Sequence, residues 1–306
     1  MTTTDAPSTE ATTTSIAIPG SPADVRGVLV VGAGQMGSGI AQVFAQAGRR
    51  VLLADVSADQ LERAKATITR SASKLHEKGK LDDDQLHGAT EGITYVRDLD
   101  DVDLAGIQLA IEAATENEEL KLRIFADLDQ RMPRGAILAT NTSSISITKI
   151  AAATRHPQHV VGMHFMNPVP VLKLVEVISG LETAPAATDL VMELARDLGK
   201  EPVHSKDVPG FIANRILMPL VNEAFFVLGE GIGDAEGIDT VMKLGMAHPM
   251  GPLALADLIG LDTCLAICEV LHDELGDPKY RPAPLLRQYV AAGRLGRKVG
   301  RGVYTY

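Results

Sequence analysis

The chain has 306 residues, 45% of them hydrophobic, and carries 39 acidic against 29 basic side chains for a formal net charge of -10. That length suits about two domains, and the negative excess argues against a nucleic-acid partner. Its apolar runs are short and interrupted, well below the roughly 20 residues a membrane-crossing helix needs, so no membrane partner is expected.

Residues 1–24 are rich in Thr, Ser, Ala and Pro, with no Lys or Arg and no apolar signal-peptide core. A disordered tail is expected there. From 28 to 40 the sequence reads VLVVGAGQMGSGI: an apolar strand (28–31), three glycines and the start of a helix (35–47). Gly32, Gly34 and Gly37 have the G-x-G-x-x-G spacing. The first glycine of that motif permits a tight turn, the second lets a pyrophosphate approach the backbone, and the third lets helix and sheet pack closely. The anion rests on the free amides at the helix start. A second strand, 50–55, ends in Asp55, placed to accept from a ribose 2'-hydroxyl and to repel a 2'-phosphate. No arginine follows in Val56, Ser57 or Ala58, so NAD is expected and not NADP. A glycine triplet alone is weak, but strand, helix and terminal acid agree.

The next helix brings Arg63, Lys65, Arg70, Lys74 and Lys78, the last three at four-residue spacing in a basic stripe. Apolar runs at 107–113, 136–139, 160–165, 172–178 and 202–205 then alternate with helical segments. This is the pattern of an α/β fold: a Rossmann-type, largely parallel sheet with helices on both faces, expected over 25–207. The runs at 160–165 and 172–178 flank Asn167-Pro168-Val169-Pro170. Folded as a hairpin about Pro170, they set His164 opposite Glu176. A carboxylate on one ring nitrogen fixes the tautomer and raises the basicity of the other, which suits His164 to act as general base at an alcohol losing hydride.

Past Val208 the texture is helical, so an all-helical C-terminal domain is expected over 208–306, opened by a long helix entered through Pro209. Few charges interrupt 211–228, and a helix apolar on both faces needs a cover, from a partner subunit or from this domain itself. Cys264, Cys268 and His272 recur every four residues, but one helix face rarely converges enough ligands on a metal. His156 and His159 read as loop residues beside Pro157. No metal is expected, and two cysteines so placed suit a reducing cytoplasm.

Seven blocks in order resemble the L-3-hydroxyacyl-CoA dehydrogenase family: VGAGQMGSGIAQ, EAATENEELK, NTSSISI, GMHFMNPVPVLKLVEV, DVPGFIANRI, HPMGPLALADLIGLD and KYRPAPLLRQYVAAGRLGRKVGRGVY. The resemblance, nearest to the short bacterial members, implies an NAD-dependent oxidoreductase of fatty acid or butanoate metabolism. Its substrate pair would be (S)-3-hydroxybutanoyl-CoA, or another short 3-hydroxyacyl-CoA, and acetoacetyl-CoA. It implies His164 as catalytic base, Glu176 as its orienting partner, and Ser143 and Asn214 around the reacting oxygen. Glu116, Lys121, Ser143 and Asn167 are implied as cofactor contacts beside the glycines and Asp55, and Thr67, Lys74 and Ser143 as contacts of the CoA substrate. A homodimer through the helical domain is implied as well.

Read without the family, Ser143 is a cap for a helix near Ile147, Asn214 a helix residue, and Glu116 with Lys121 an ordinary surface pair. Met166 stands where the family often has a second aromatic. No hydratase region precedes the glycine motif, as in the stand-alone form. Two other functions stand beside this one. A non-catalytic, crystallin-like NAD(H)-binding protein would not require Ser143, His164, Glu176 and Asn214 together. A dehydrogenase of a free 3-hydroxy acid would leave the basic stripe without a purpose.

Overall fold

The computed structural model describes residues 17–306. Most of the expected tail, 1–16, lies outside the described residues. For 17–24 the expectation of a tail does not hold: Ile18 packs its apolar side chain against the core, and Pro22–Asp24 form a 3-10 turn that leads into the first strand.

The strands are β1 (Gly27–Val31), β2 (Arg50–Ala54), β3 (Ile93–Val96), β4 (Leu109–Glu112), β5 (Ile137–Thr140), β6 (Val160–Phe165), β7 (Leu174–Ser179) and β8 (Glu201–Lys206). They form one sheet in the order β3-β2-β1-β4-β5-β6-β7-β8. All pairs are parallel except β6 with β7. Sequence periodicity finds every strand but β3. That strand has four residues at the sheet edge, with Ile93 and Val96 buried and Thr94 exposed, too short a run for alternation to stand out.

Helices α1 (Gln35–Gln46), α2 (Ala58–Glu77), α3 (Asp83–Glu91), α4 (Glu118–Arg131), α5 (Ile147–Ala151) and α6 (Pro185–Asp197) cover the sheet. Successive strand residues point to opposite faces, so Val28 and Val30 enter one core with Ile40 and Phe44 of α1 and Leu190 of α6. Leu29 enters the other, with Phe125 of α4 and Ile150 of α5. Each β1 side chain thus finds a buried neighbour, which is why the run 28–31 is apolar throughout. Strand order reverses between β1 and β4, and the loops beyond the carboxyl ends of β1, β2, β4 and β5 face a common crevice, where this class of sheet takes its ligands.

The second region comprises α7 (Ala213–Gly229), α8 (Ala235–Thr240), α9 (Pro252–Ile259), α10 (Leu261–Leu275) and α11 (Pro284–Ala291), around a core that includes Phe225, Leu253, Cys264 and Leu286. The expected entry through Pro209 is corrected. Gly210 and Phe211 adopt left-handed φ angles of 79° and 49°, which no helix contains, and α7 begins at Ala213. Cys264 and Cys268 are free and buried in this core, and burial pushes both thiols up to about 12. Among the described residues no cluster of three His, Cys, Asp or Glu side chains is placed to hold a metal, and no helix is long and apolar enough to cross a membrane.

Candidate active site

The glycine loop follows β1 and ends at α1. Gly32 has φ 101°, and a Cβ there would stand 2.7 Å from the carbonyl oxygen of Ala113. A Cβ on Gly37 would lie 1.7 Å from the oxygen of Gly32, so the helix touches the loop backbone itself. Gly34 differs: a Cβ there meets nothing within 4 Å. Packing does not demand that glycine, and the space over it is open toward the start of α1, which no side chain caps. Uncapped amides beside open space suit a phosphate group. Asp55 lies at the end of β2, where Oδ2 accepts from the amide of Ala33 at 2.8 Å and Oδ1 from that of Ser57 at 2.9 Å. It therefore braces the glycine loop as well as lining it. These residues fit a dinucleotide.

Across the crevice, the end of β4 holds a group that the sequence reading missed. Glu112 is fully buried, and its Oε1 accepts from Lys121 Nζ at 2.6 Å and from the Ala114 amide at 2.7 Å, while Oε2 accepts from Thr140 Oγ1 at 2.7 Å. Lys121 is 1% exposed and also lies 3.3 Å from Glu116, so the pair read as ordinary surface charges is an interior ammonium between two carboxylates. Glu116 in turn gathers the loop after β5, accepting from Thr142 Oγ1 at 2.6 Å, the Ser143 amide at 2.9 Å and Ser144 Oγ at 3.0 Å. Burial alone would raise the Glu116 carboxyl. The Lys121 charge and these hydrogen bonds outweigh it and hold the group below the usual carboxylate range.

His164 enters from β6. Its strand pairs antiparallel with β7 in the register that sets His164 against Glu176, as the hairpin expectation has it. His164 Nδ1 is 2.9 Å from Glu176 Oε2, and His164 Nε2 is 3.2 Å from Ser143 Oγ. The second carboxylate oxygen of Glu176 accepts from the amides of Ile212 at 3.0 Å and Ala213 at 2.9 Å. Asn214, the second residue of α7, donates from Nδ2 to the Ser143 carbonyl at 3.2 Å. Ser143, His164, Glu176 and Asn214 therefore form one bonded set joining both regions of the chain. Ser143 is not the cap of α5. Ser146 takes that place, and Asp207 accepts from the amides of Ile147 and Thr148. Lys200, also unforeseen, is buried and donates to the carbonyls of Val169 and Leu172, fixing the loop after β6.

Three expected residues stand apart from this set. Asn167 is exposed on that loop, and Thr67 and Lys74 lie on the solvent face of α2; none bonds to the cluster.

A pH dependence follows. Burial would raise the Glu176 carboxyl, but the His164 bond and charge and the two amides hold it below its usual 4.5. A depressed folded-state pKa contributes stability above the unfolded value, and that contribution is lost as pH falls through the folded one. The contribution of Glu176 to unfolding free energy is therefore expected to hold steady from neutral pH to about 4.5 and then to drop. Urea titrations over that range check it, with a shallower drop in Glu176→Gln; equal slopes for the two proteins count against this coupling.

A family model described as 3-hydroxyacyl-CoA dehydrogenase, NAD binding domain, matches residues 27–208, and one described as 3-hydroxyacyl-CoA dehydrogenase, C-terminal domain, matches 210–306. A probable 3-hydroxybutyryl-CoA dehydrogenase of Deinococcus radiodurans is 53% identical over 90% of this chain and 99% of its own. The 3-hydroxybutyryl-CoA dehydrogenase of Bradyrhizobium diazoefficiens is 51% identical over 92% and 96%. The crystal structure of (S)-3-hydroxybutyryl-CoA dehydrogenase from Ralstonia eutropha superposes with a TM-score of 0.88 at 51% identity, covering 92% of this chain and 99% of that one.

Proposed function

The chain belongs to the NAD-dependent 3-hydroxyacyl-CoA dehydrogenase family, and on that premise we propose that it interconverts (S)-3-hydroxybutanoyl-CoA and acetoacetyl-CoA, with His164 as the proton-transfer residue. The observation that carries the reading is the His164–Glu176 pair aimed at Ser143 beside the dinucleotide crevice. Bound NAD supplies the hydride acceptor. In oxidation, His164 Nε2 takes the hydroxyl proton as the C3 hydride leaves, and in reduction it returns that proton to the oxygen. Glu176 holds Nδ1 and offsets the charge of the imidazolium. The hydroxyl of Ser143 and the amide of Asn214 hold the reacting oxygen, able to donate to a carbonyl or accept from an alcohol. Glu116 and Asn167 serve the nicotinamide end of the cofactor, with the buried Lys121 acting there through Glu116; Thr67 and Lys74, on the basic face of α2, serve the CoA phosphates. Comparing acetoacetyl-CoA with free acetoacetate tests the carrier. Rapid turnover of the thioester alone supports this reading, and equal rates would replace it with a free-acid dehydrogenase.

Asp55 selects the cofactor by accepting from the ribose hydroxyl and repelling a phosphate. In Asp55→Ala the KM for NADH should rise by roughly tenfold or more, the size of a lost charge-assisted hydrogen bond, and the ratio of kcat/KM for NADH over NADPH should fall. An unchanged ratio would assign cofactor choice elsewhere.

The protein forms a homodimer through the helical domain. An apolar groove there is lined by Leu220, Val227, Ile238, Val241 and Met242, and Val241 and Leu244 are 61% and 82% exposed. Val241→Asp, which buries an unpaired charge only in the assembly, should weaken the dimer by about a hundredfold, seen by sedimentation. A wild-type monomer at micromolar concentration would exclude the interface. The two free, buried cysteines suit the cytoplasm, which cell fractionation tests.

A further inference from the structure

Phe211 and Ala247 are the non-glycine residues with positive φ among the described residues, and Phe211 lies at the junction of the two regions, directly after Gly210. A bulky side chain in the left-handed region is disfavoured and persists only where its surroundings hold it. Here they do. Phe211 is 3% exposed and shares the core beneath the sheet with Ile147 and Ile178. Two consequences reach the dyad. The left-handed pair Gly210–Phe211 turns the backbone so that the next two amides, of Ile212 and Ala213, both point at Glu176 Oε1, at 3.0 and 2.9 Å. The Phe211 ring meets the His164 imidazole edge-on, with centroids 6.0 Å apart and planes 61° apart. One residue therefore touches the histidine and, through its backbone angle, sets the donors that orient the carboxylate behind it.

We propose that Phe211 is a positioning residue for the His164–Glu176 pair, its buried ring clamping a left-handed turn that aims the Ile212 and Ala213 amides at Glu176. The inference rests on the dyad reading given above and adds to it. Glu176 is on β7, whereas its two amide donors lead into α7, so the pair reaches full order only while the start of the helical region is docked against the sheet. A carboxylate that bonds its histidine through one oxygen and two amides through the other cannot rotate without losing both.

Substitution at this position separates backbone from bulk. Glycine removes the whole side chain yet accepts the left-handed angle freely; alanine keeps a Cβ that opposes the angle and lacks the ring that enforces it. In acetoacetyl-CoA reduction, kcat should fall about ten- to a hundredfold in Phe211→Ala, less in Phe211→Gly, with the KM for NADH and for acetoacetyl-CoA near wild type in both. A residue that merely fills the core gives the reverse order, because glycine is then the deeper truncation. Alanine retaining as much kcat as glycine, or a change confined to KM, overturns the proposal. Should thermal denaturation show that either truncation does not fold, Phe211→Leu is measured instead, since it keeps the buried bulk without the ring. A severalfold lower kcat at unchanged KM then supports the proposal, and wild-type kcat refutes it. His164→Ala run alongside tells the two failures apart. If that variant turns over normally, the dyad reading itself is wrong; if it is inactive while the Phe211 order is reversed, only the positioning role falls.

Discussion

Replacing His164 by alanine is expected to cut the turnover of acetoacetyl-CoA about a hundred- to ten-thousandfold, the range that a single positioned acid or base contributes, while NADH binding stays close to wild type. The split follows from where the bonds run. His164 bonds to Ser143 Oγ and Glu176 Oε2, whereas the glycine loop is braced by Asp55 through the Ala33 amide; the two sets share no hydrogen bond. On the proposed role of His164, loss of the imidazole removes the proton acceptor and leaves the dinucleotide crevice as it was. Fluorescence titration with NADH, beside steady-state kinetics, reads both halves. Wild-type turnover in the variant, or a large loss of NADH affinity at unchanged kcat, contradicts the assignment.

The second large effect concerns stability. Glu112→Ala is expected to cost about 3–5 kcal/mol, the usual consequence of stranding one partner of a buried ion pair. The remaining ammonium of Lys121 would keep only Glu116 at 3.3 Å and the Ala114 carbonyl at 3.4 Å, and Thr140 and the Ala114 amide would each lose an acceptor. Replacing both charges with apolar residues, as in Glu112→Leu with Lys121→Met, should recover much of the loss, because no buried charge is then left unpaired. Urea unfolding of the two single variants and the double variant measures it. A single-variant loss under about 1 kcal/mol, or a double variant as unstable as the sum of the singles, would show that the pair is not energetically coupled.

The same pair shows where sequence reading stops. The glycine loop was legible because spacing alone marks the turn at Gly32 and the close helix contact at Gly37, and Asp55 because it closes an apolar strand with a charge at the crevice edge. Glu112 closes β4 in the same manner, which was the available signal. What periodicity could not supply was the burial of Lys121 against it, since that depends on how α4 packs beside β4. The register of β6 against β7 was legible from symmetry about Pro170, and it brought His164 to Glu176. The partners of the other Glu176 oxygen were not, because they are backbone amides positioned by a left-handed phenylalanine, in a stretch where helical periodicity runs straight through from Pro209. The assignment of the α5 cap to Ser143 failed for a related reason: NTSSIS offers several hydroxyls, and Asp207, distant in sequence, fixes the helix start at Ser146.

NADH consumption with acetoacetyl-CoA by the purified protein, with the acyl product identified, tests the proposed activity most directly. One (S)-3-hydroxybutanoyl-CoA should form for each NADH oxidised. Folded protein that binds NADH yet consumes none of it with this thioester, or that yields the opposite stereoisomer, would contradict it.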